Sequence, residues 1–177
     1  VAIAPDTKDW TWVLKRRCPE CGFDSQAFDP ESTAAMVRAN AASWAAVLLR
    51  PDAASRPDES TWSPLEYACH VRDVFRIYDD RLRLMLSETD PLFANWDQDA
   101  TAVADGYHQQ NPRRVSAELV DAAETVAARF DAVSGDDWRR TGRRSDGASF
   151  TVESFARYFA HDWIHHLWDV SGRPGVS

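Results

Sequence analysis

Cysteine is scarce: three in 177 residues, too few and too odd in number for a secreted disulfide framework. No apolar run approaches the roughly 20 residues of a membrane span, so the sequence offers no transmembrane helix. Basic residues are in deficit. The 20 Lys and Arg stand against 28 Asp and Glu, a net charge of −8, with no basic face for a phosphate backbone. Glycine is also rare, at 7, and the 9 prolines fall mostly between candidate helices, leaving few interior breakers. The opening VAIAPDTKDW has no basic start, apolar stretch or cleavage site, so no secretory leader is expected. The expectation is a cytoplasmic protein with no membrane and no nucleic-acid partner. Internal repeats and low-complexity tracts are absent.

What is present is ordinary globular content, 44% apolar and 27% charged, enriched in aromatics with 8 Trp and 8 Phe. An aromatic core or pocket is expected. Helical punctuation is clear. Asp29-Pro30 opens a helix whose apolar set is Met36, Val37, Trp44, Val47 and Leu48, stopped by Pro51. Ser63-Pro64-Leu65-Glu66 is a capping box that starts a second helix running to about Leu86. Trp96-Asp97 caps a short helix through Ala104, and Asn111-Pro112 opens a third long one ending at Ser134-Gly135. The polar, Arg-rich stretch from Asp136 to Ser149 reads as a loop or a hairpin. Thr151 caps a final helix, which Ser171-Gly172 and Pro174 end. The fold class is therefore all-α: a four-helix bundle with long crossover connections over residues 29–177, preceded by an irregular N-terminal arm over 1–28. Nothing in the sequence demands a sheet.

The final helix carries His161, His165 and His166. Residues four apart share a helical face, so His161 and His165 point one way while His166 lies about 100° round. The pair either packs as half-buried polar groups or ligates a divalent ion. Its neighbours Phe159, Trp163, Leu167 and Trp168 make unpaired imidazoles costly and favour ligation. His70, one turn after Glu66 on the second helix, offers a third ligand. Three histidines leave coordination positions open for water or substrate, as in catalytic sites. Such a set suits zinc, nickel, iron or copper, with zinc or nickel expected. His108, in a polar stretch, is expected to be solvated.

The segments SPLEYACHVRDV and HDWIHHLWDV together resemble the DinB/YfiT-like superfamily of metal-binding four-helix proteins, from about Asp29 to Val170. The sequence is most similar to actinobacterial members that include mycothiol-dependent maleylpyruvate isomerases and related thiol S-transferases. The resemblance implies a four-helix bundle with a crossover, one divalent metal held by His70, His161 and His165, and often a homodimer. It further implies a co-substrate thiol of the mycothiol type and a small electrophile as partners. The implied activity is a transferase or isomerase that activates the thiol for attack. Arg72 and the Arg143-Arg144 pair are candidates for holding carboxylates or sugar hydroxyls. Asp73, Asp162 and Asp169 are candidates for orienting a ligating imidazole through its second nitrogen. A metal-dependent hydrolase is the alternative, with Glu66, Asp73 or Asp162 as general base. A bundle that binds metal or a small ligand without turnover is the rival from another class.

The CPECGFD segment lies outside the bundle motif. Cys18 and Cys21 have zinc-knuckle spacing, but no second CxxC or HxxH completes it. Three readings stand: a turn with two reduced or disulfide-linked thiols, a zinc site finished by His166 or Asp24, or a thiol pair near the metal mouth that exchanges with the cofactor thiol or senses redox state. Cys69, beside His70, points to a different helical face.

Overall fold

The computed structural model describes residues 9–171; Gly172 and Pro174, the expected stop of the last helix, lie outside the described residues. Five α-helices form: α1 (Thr33–Leu48), α2 (Pro64–Ser87), α3 (Gln98–Ala104), α4 (Pro112–Asp131) and α5 (Val152–Ser171). Their starts are chemical. Ser63 and Glu66 exchange hydrogen bonds in a complete capping box at the head of α2. Asn111 Oδ1 accepts from the Arg113 and Arg114 amides ahead of α4, and Asp97 caps α3. Thr151 Oγ1 accepts the Ser154 amide at 3.1 Å as α5 begins. Asp29 caps a 3₁₀ turn over Pro30–Ser32, so α1 proper starts slightly later than the Asp29-Pro30 signal implies.

α1 and α2 each pack against both α4 and α5, which places the consecutive helices α1 and α2 across a diagonal. The connection over residues 49–63 therefore crosses one end of the four-helix bundle. Amphipathic faces drive this arrangement: Trp44, Phe75, Phe155, Phe159 and Trp163 are almost fully buried between the helices. Tyr78 stacks between Phe155 and Phe159, both at 4.6 Å. Asn40 is buried but satisfied. It donates to the Trp163 carbonyl and accepts from Trp44 Nε1, tying α1 to α5.

The all-α bundle carries one small addition that the sequence did not demand. A small sheet comprises β1 (Leu92–Phe93), β2 (Thr141–Arg144) and β3 (Ser149–Thr151). β2 and β3 form the antiparallel hairpin that was one alternative for residues 136–149, and β1 adds in parallel to β2. A two-residue strand has no alternation to detect. The sheet presses on the end of α2 at Gly142, where a Cβ would lie 2.7 Å from Met85 Cγ and 2.9 Å from Phe93 Cε1.

Residues 1–8 of the expected arm lie outside the described residues; residues 9–28 contain no α-helix or strand but are tied to the bundle. A 3₁₀ turn over Trp10–Leu14, capped by Asp9, packs on α5. Arg157 of α5 reaches back to the Ser25 and Phe28 carbonyls. No described helix is long and apolar enough to cross a membrane.

Candidate metal centre

α5 presents two pairs of potential ligands, each spaced by four: His161 with His165, and Asp162 with His166. The pairs are offset by one residue, about 100° of helix rotation, so they face different neighbours. The structure separates them accordingly. His70 of α2, Asp162 and His166 offer donor atoms within 4.8 Å of one another. Cys18, Cys21, His161 and His165 form a second group within the same limit.

In the first group His70 is fully buried, its ring stacked on Trp96 at 5.3 Å and 11° and flanked by Trp62 at 5.5 Å. Its Nε2 lies 3.4 Å from Asp162 Oδ1, and His166 Nε2 lies 3.8 Å from the same oxygen. The contact to His70 is too poor for a hydrogen bond: neither His70 nitrogen, nor Asp162 Oδ1, has a hydrogen-bond partner among the described residues. Buried polar atoms converging without bonding one another have the character of a ligand set. Donors about 2.1 Å from a common ion would stand about 3.0–3.4 Å apart, which the His70–Asp162 separation meets at 3.4 Å while the His166–Asp162 separation is longer at 3.8 Å. His166 Nδ1 is 3.0 Å from Asp169 Oδ2, which fixes the proton on Nδ1 and leaves Nε2 facing Asp162. Burial pushes the His70 pKa below its ordinary value, so the ring is neutral and able to ligate. Burial works to raise the Asp162 carboxyl, but the imidazoles of His70, His166 and His161 around it hold it below the ordinary carboxylate range, so it is ionised.

The second group lies where the arm meets α5. Cys18 Sγ is 3.7 Å from His165 Nδ1, and both cysteines are free thiols. Trp10 covers both rings, at 5.5 Å from His161 and 5.7 Å from His165. Burial lowers both imidazoles, His161 to about 4, and drives the Cys21 thiol up to about 12.

The sequence expectation grouped His70 with His161 and His165; the structure divides these three between the two groups. Asp162, expected to orient an imidazole, here lies with His70 and His166 in one group of potential donors. Asp169 does orient an imidazole, that of His166, while its other oxygen lies 3.8 Å from His165 Nε2. Asp73 does not reach His70; it is held by Arg72, Arg76 and a 2.6 Å bond from the Tyr107 hydroxyl. Glu66 is committed to the capping box and to Arg56. Arg72 is buried against Asp73, Glu118 and Gln110 rather than offered to a substrate. Arg143 pairs with Asp90, and His108 is exposed as expected. The side chains that lie within reach of Cys18 and Cys21 are His161 and His165, rather than the expected His166 or Asp24. The signal for Asp162 and His166 was available: their spacing equals that of His161 and His165.

Asp162 also lines a cavity of about 910 Å³, with Trp10 and Trp96 among its walls. Two arginines face it. Arg144 is paired with Asp146 and lies 3.3 Å from the Tyr158 hydroxyl. Arg81 is buried, bonds only the Ala94 carbonyl, and has no carboxylate partner among the described residues. Neither Arg81 nor Tyr158 is singled out by any motif or spacing in the sequence.

The DinB superfamily, as a sequence family, matches residues 26–170. No curated protein matches the chain in sequence. Among solved structures the chain is similar to YfiT from Bacillus subtilis, described as a probable metal-dependent hydrolase with an unusual four-helix bundle topology. That similarity has a TM-score of 0.68 at 18% identity and covers 87% of this chain and 89% of the other, a likeness of fold.

Proposed function

This chain belongs to the DinB superfamily, and on that premise we propose a metal-dependent enzyme that activates a low-molecular-weight thiol for attack on a small anionic electrophile. The observation that carries the reading is the buried, unbonded pair of His70 Nε2 and Asp162 Oδ1, completed by His166, of which Asp162 lines a roomy cavity. A divalent ion held by these residues would supply Lewis acidity, lowering the pKa of a thiol or a water molecule.

The protein's own residues divide the remaining work. Asp169 holds His166 in its tautomer, and Trp96 fixes the plane of His70 and excludes water from it. Arg81 offers an uncompensated cation to a carboxylate or phosphate in the cavity. A volume of about 910 Å³ has room for a thiol and an electrophile together. Three carboxylates nominated as general bases have other duties: Glu66 and Asp73 sit in ion pairs, and Asp162 is a ligand. A thiol with a lowered pKa needs little help from a base, which favours thiol transfer, with a mycothiol-type compound as the thiol.

Hydrolysis is the second reading. Two histidines and a carboxylate are an established set for hydrolytic zinc, and YfiT is described as a probable hydrolase. Metal-loaded protein incubated with a panel of carboxylated electrophiles, with and without thiol, separates the readings. Thiol and electrophile consumed one for one support transfer. Turnover without thiol supports hydrolysis, and no turnover in either arm contradicts both.

A further inference from the structure

We propose that Cys18, Cys21, His161 and His165 form a second metal site, a closed Cys₂His₂ zinc centre that staples the N-terminal arm to α5. Two of its residues precede the stretch matched by the superfamily, so the site goes beyond the reading given above.

The local chain builds the sulfur half. The Cys18 amide donates to the Phe23 carbonyl at 2.8 Å, and the Gly22 amide to the Cys18 carbonyl at 3.1 Å. Gly22 takes φ +77°, a left-handed conformation that glycine accepts without strain, immediately after the second cysteine. This tight turn brings both sulfurs to one side. α5 builds the nitrogen half through its four-residue spacing. Zinc bonds of about 2.3 Å to sulfur and 2.0–2.1 Å to nitrogen at a tetrahedral angle put S and N about 3.6 Å apart. Cys18 Sγ and His165 Nδ1 stand at 3.7 Å.

Three further observations point to a metal. His161 is buried, and its Nε2 has no hydrogen-bond partner among the described residues. His165 turns its other nitrogen toward carboxylates, with Glu20 Oε2 at 3.3 Å and Asp169 Oδ1 at 3.8 Å, the outer partner that ligating histidines take. The charges also balance. Loading transfers two thiol protons to solvent and forms two S–metal bonds, so Zn²⁺, two thiolates and two neutral imidazoles sum to zero beneath Trp10 and Phe23. Four protein ligands leave no open position, so the role is structural. Trp10, seated on both histidine rings, also walls the cavity, so the staple shapes the compartment beside Asp162.

The test is Co²⁺ titration of untagged, reduced full-length protein, followed by visible and near-ultraviolet absorption. The expected result is a thiolate-to-cobalt charge-transfer band that saturates at about one equivalent and disappears on Zn²⁺ addition. Cys18→Ser/Cys21→Ser should lose the band and one equivalent, while His70→Ala/His166→Ala should keep it. The second variant separates the two centres: its metal loss bears on the catalytic reading alone. Wild-type protein with titratable thiols but no charge-transfer band at saturating Co²⁺ overturns the proposal, and that result needs no variant to fold.

Discussion

His165 and His166 are neighbours in the chain, yet their rings stand perpendicular, at 88° with centroids 5.9 Å apart, and they serve different donor groups. One carboxylate touches both. Asp169 binds His166 Nδ1 at 3.0 Å and lies 3.8 Å from His165 Nε2.

That position makes Asp169 a sensitive point. Asp169→Ala removes the acceptor that fixes His166, and loss of such an outer partner typically weakens metal binding about 10–100-fold. Chelator competition on the variant should show this drop at the His70 centre. An unchanged affinity would mean that His166 is oriented by packing alone.

Arg81 carries the expected specificity for anionic substrates. Arg81→Met keeps most of the side-chain volume and deletes the cation, so kcat/KM for a carboxylated electrophile should fall about 10–100-fold, the worth of a hydrogen bond to a charged group. Metal content should stay at the wild-type level. Equal activity toward the acid and its neutral ester in wild type would count against this role.

Acid stability should depend on Asp73. Burial works to raise its carboxyl, but Arg72, the Tyr107 hydroxyl and Arg76 hold the net pKa below the ordinary 3.8. A folded-state pKa depressed in this way contributes stability above the unfolded value, and that contribution is lost as pH falls through the folded one. Wild type should therefore lose stability below about pH 4, with the carboxylate of Glu66, also lowered, adding to the slope. Asp73→Asn should be about 3 kcal/mol less stable at neutral pH and show a shallower acid limb in urea melts at stepped pH. An identical limb would assign the acid sensitivity to other groups.

The contact of sheet with bundle is tight at one glycine. Gly142→Ala places a methyl 2.7 Å from Met85 Cγ and 2.9 Å from Phe93. Overpacking of this kind costs about 1–3 kcal/mol, at the low end where Met85 swings aside. A thermal melt with no loss would show that this side chain yields freely.

Much of the fold is legible in the sequence because its helix starts are written in short-range chemistry: Ser63 with Glu66, Asn111 with Pro112, Asp97 ahead of α3. β1 is not, because two residues gain strand character only from pairing with Arg143 and Arg144 far along the chain. The site is legible in kind but not in assignment. The sequence shows His70, His161, His165 and His166, but which of them meet depends on the rotation of α5 against α2 and on where the arm docks. With Cys18 and Cys21 seated on α5, His161 and His165 turn to them and Asp162 and His166 to His70. Asp73 and Arg72 look available by spacing, yet bind each other once buried.

His70, Asp162 and His166 are proposed to hold a catalytic metal. Anomalous scattering from crystals of the metal-loaded protein, collected on both sides of the metal's absorption edge, locates the ion directly. The expected result is a peak bounded by His70 Nε2, Asp162 Oδ1 and His166 Nε2. Metal-saturated crystals with no peak there, or with the ion shared by His70, His161 and His165, would contradict it.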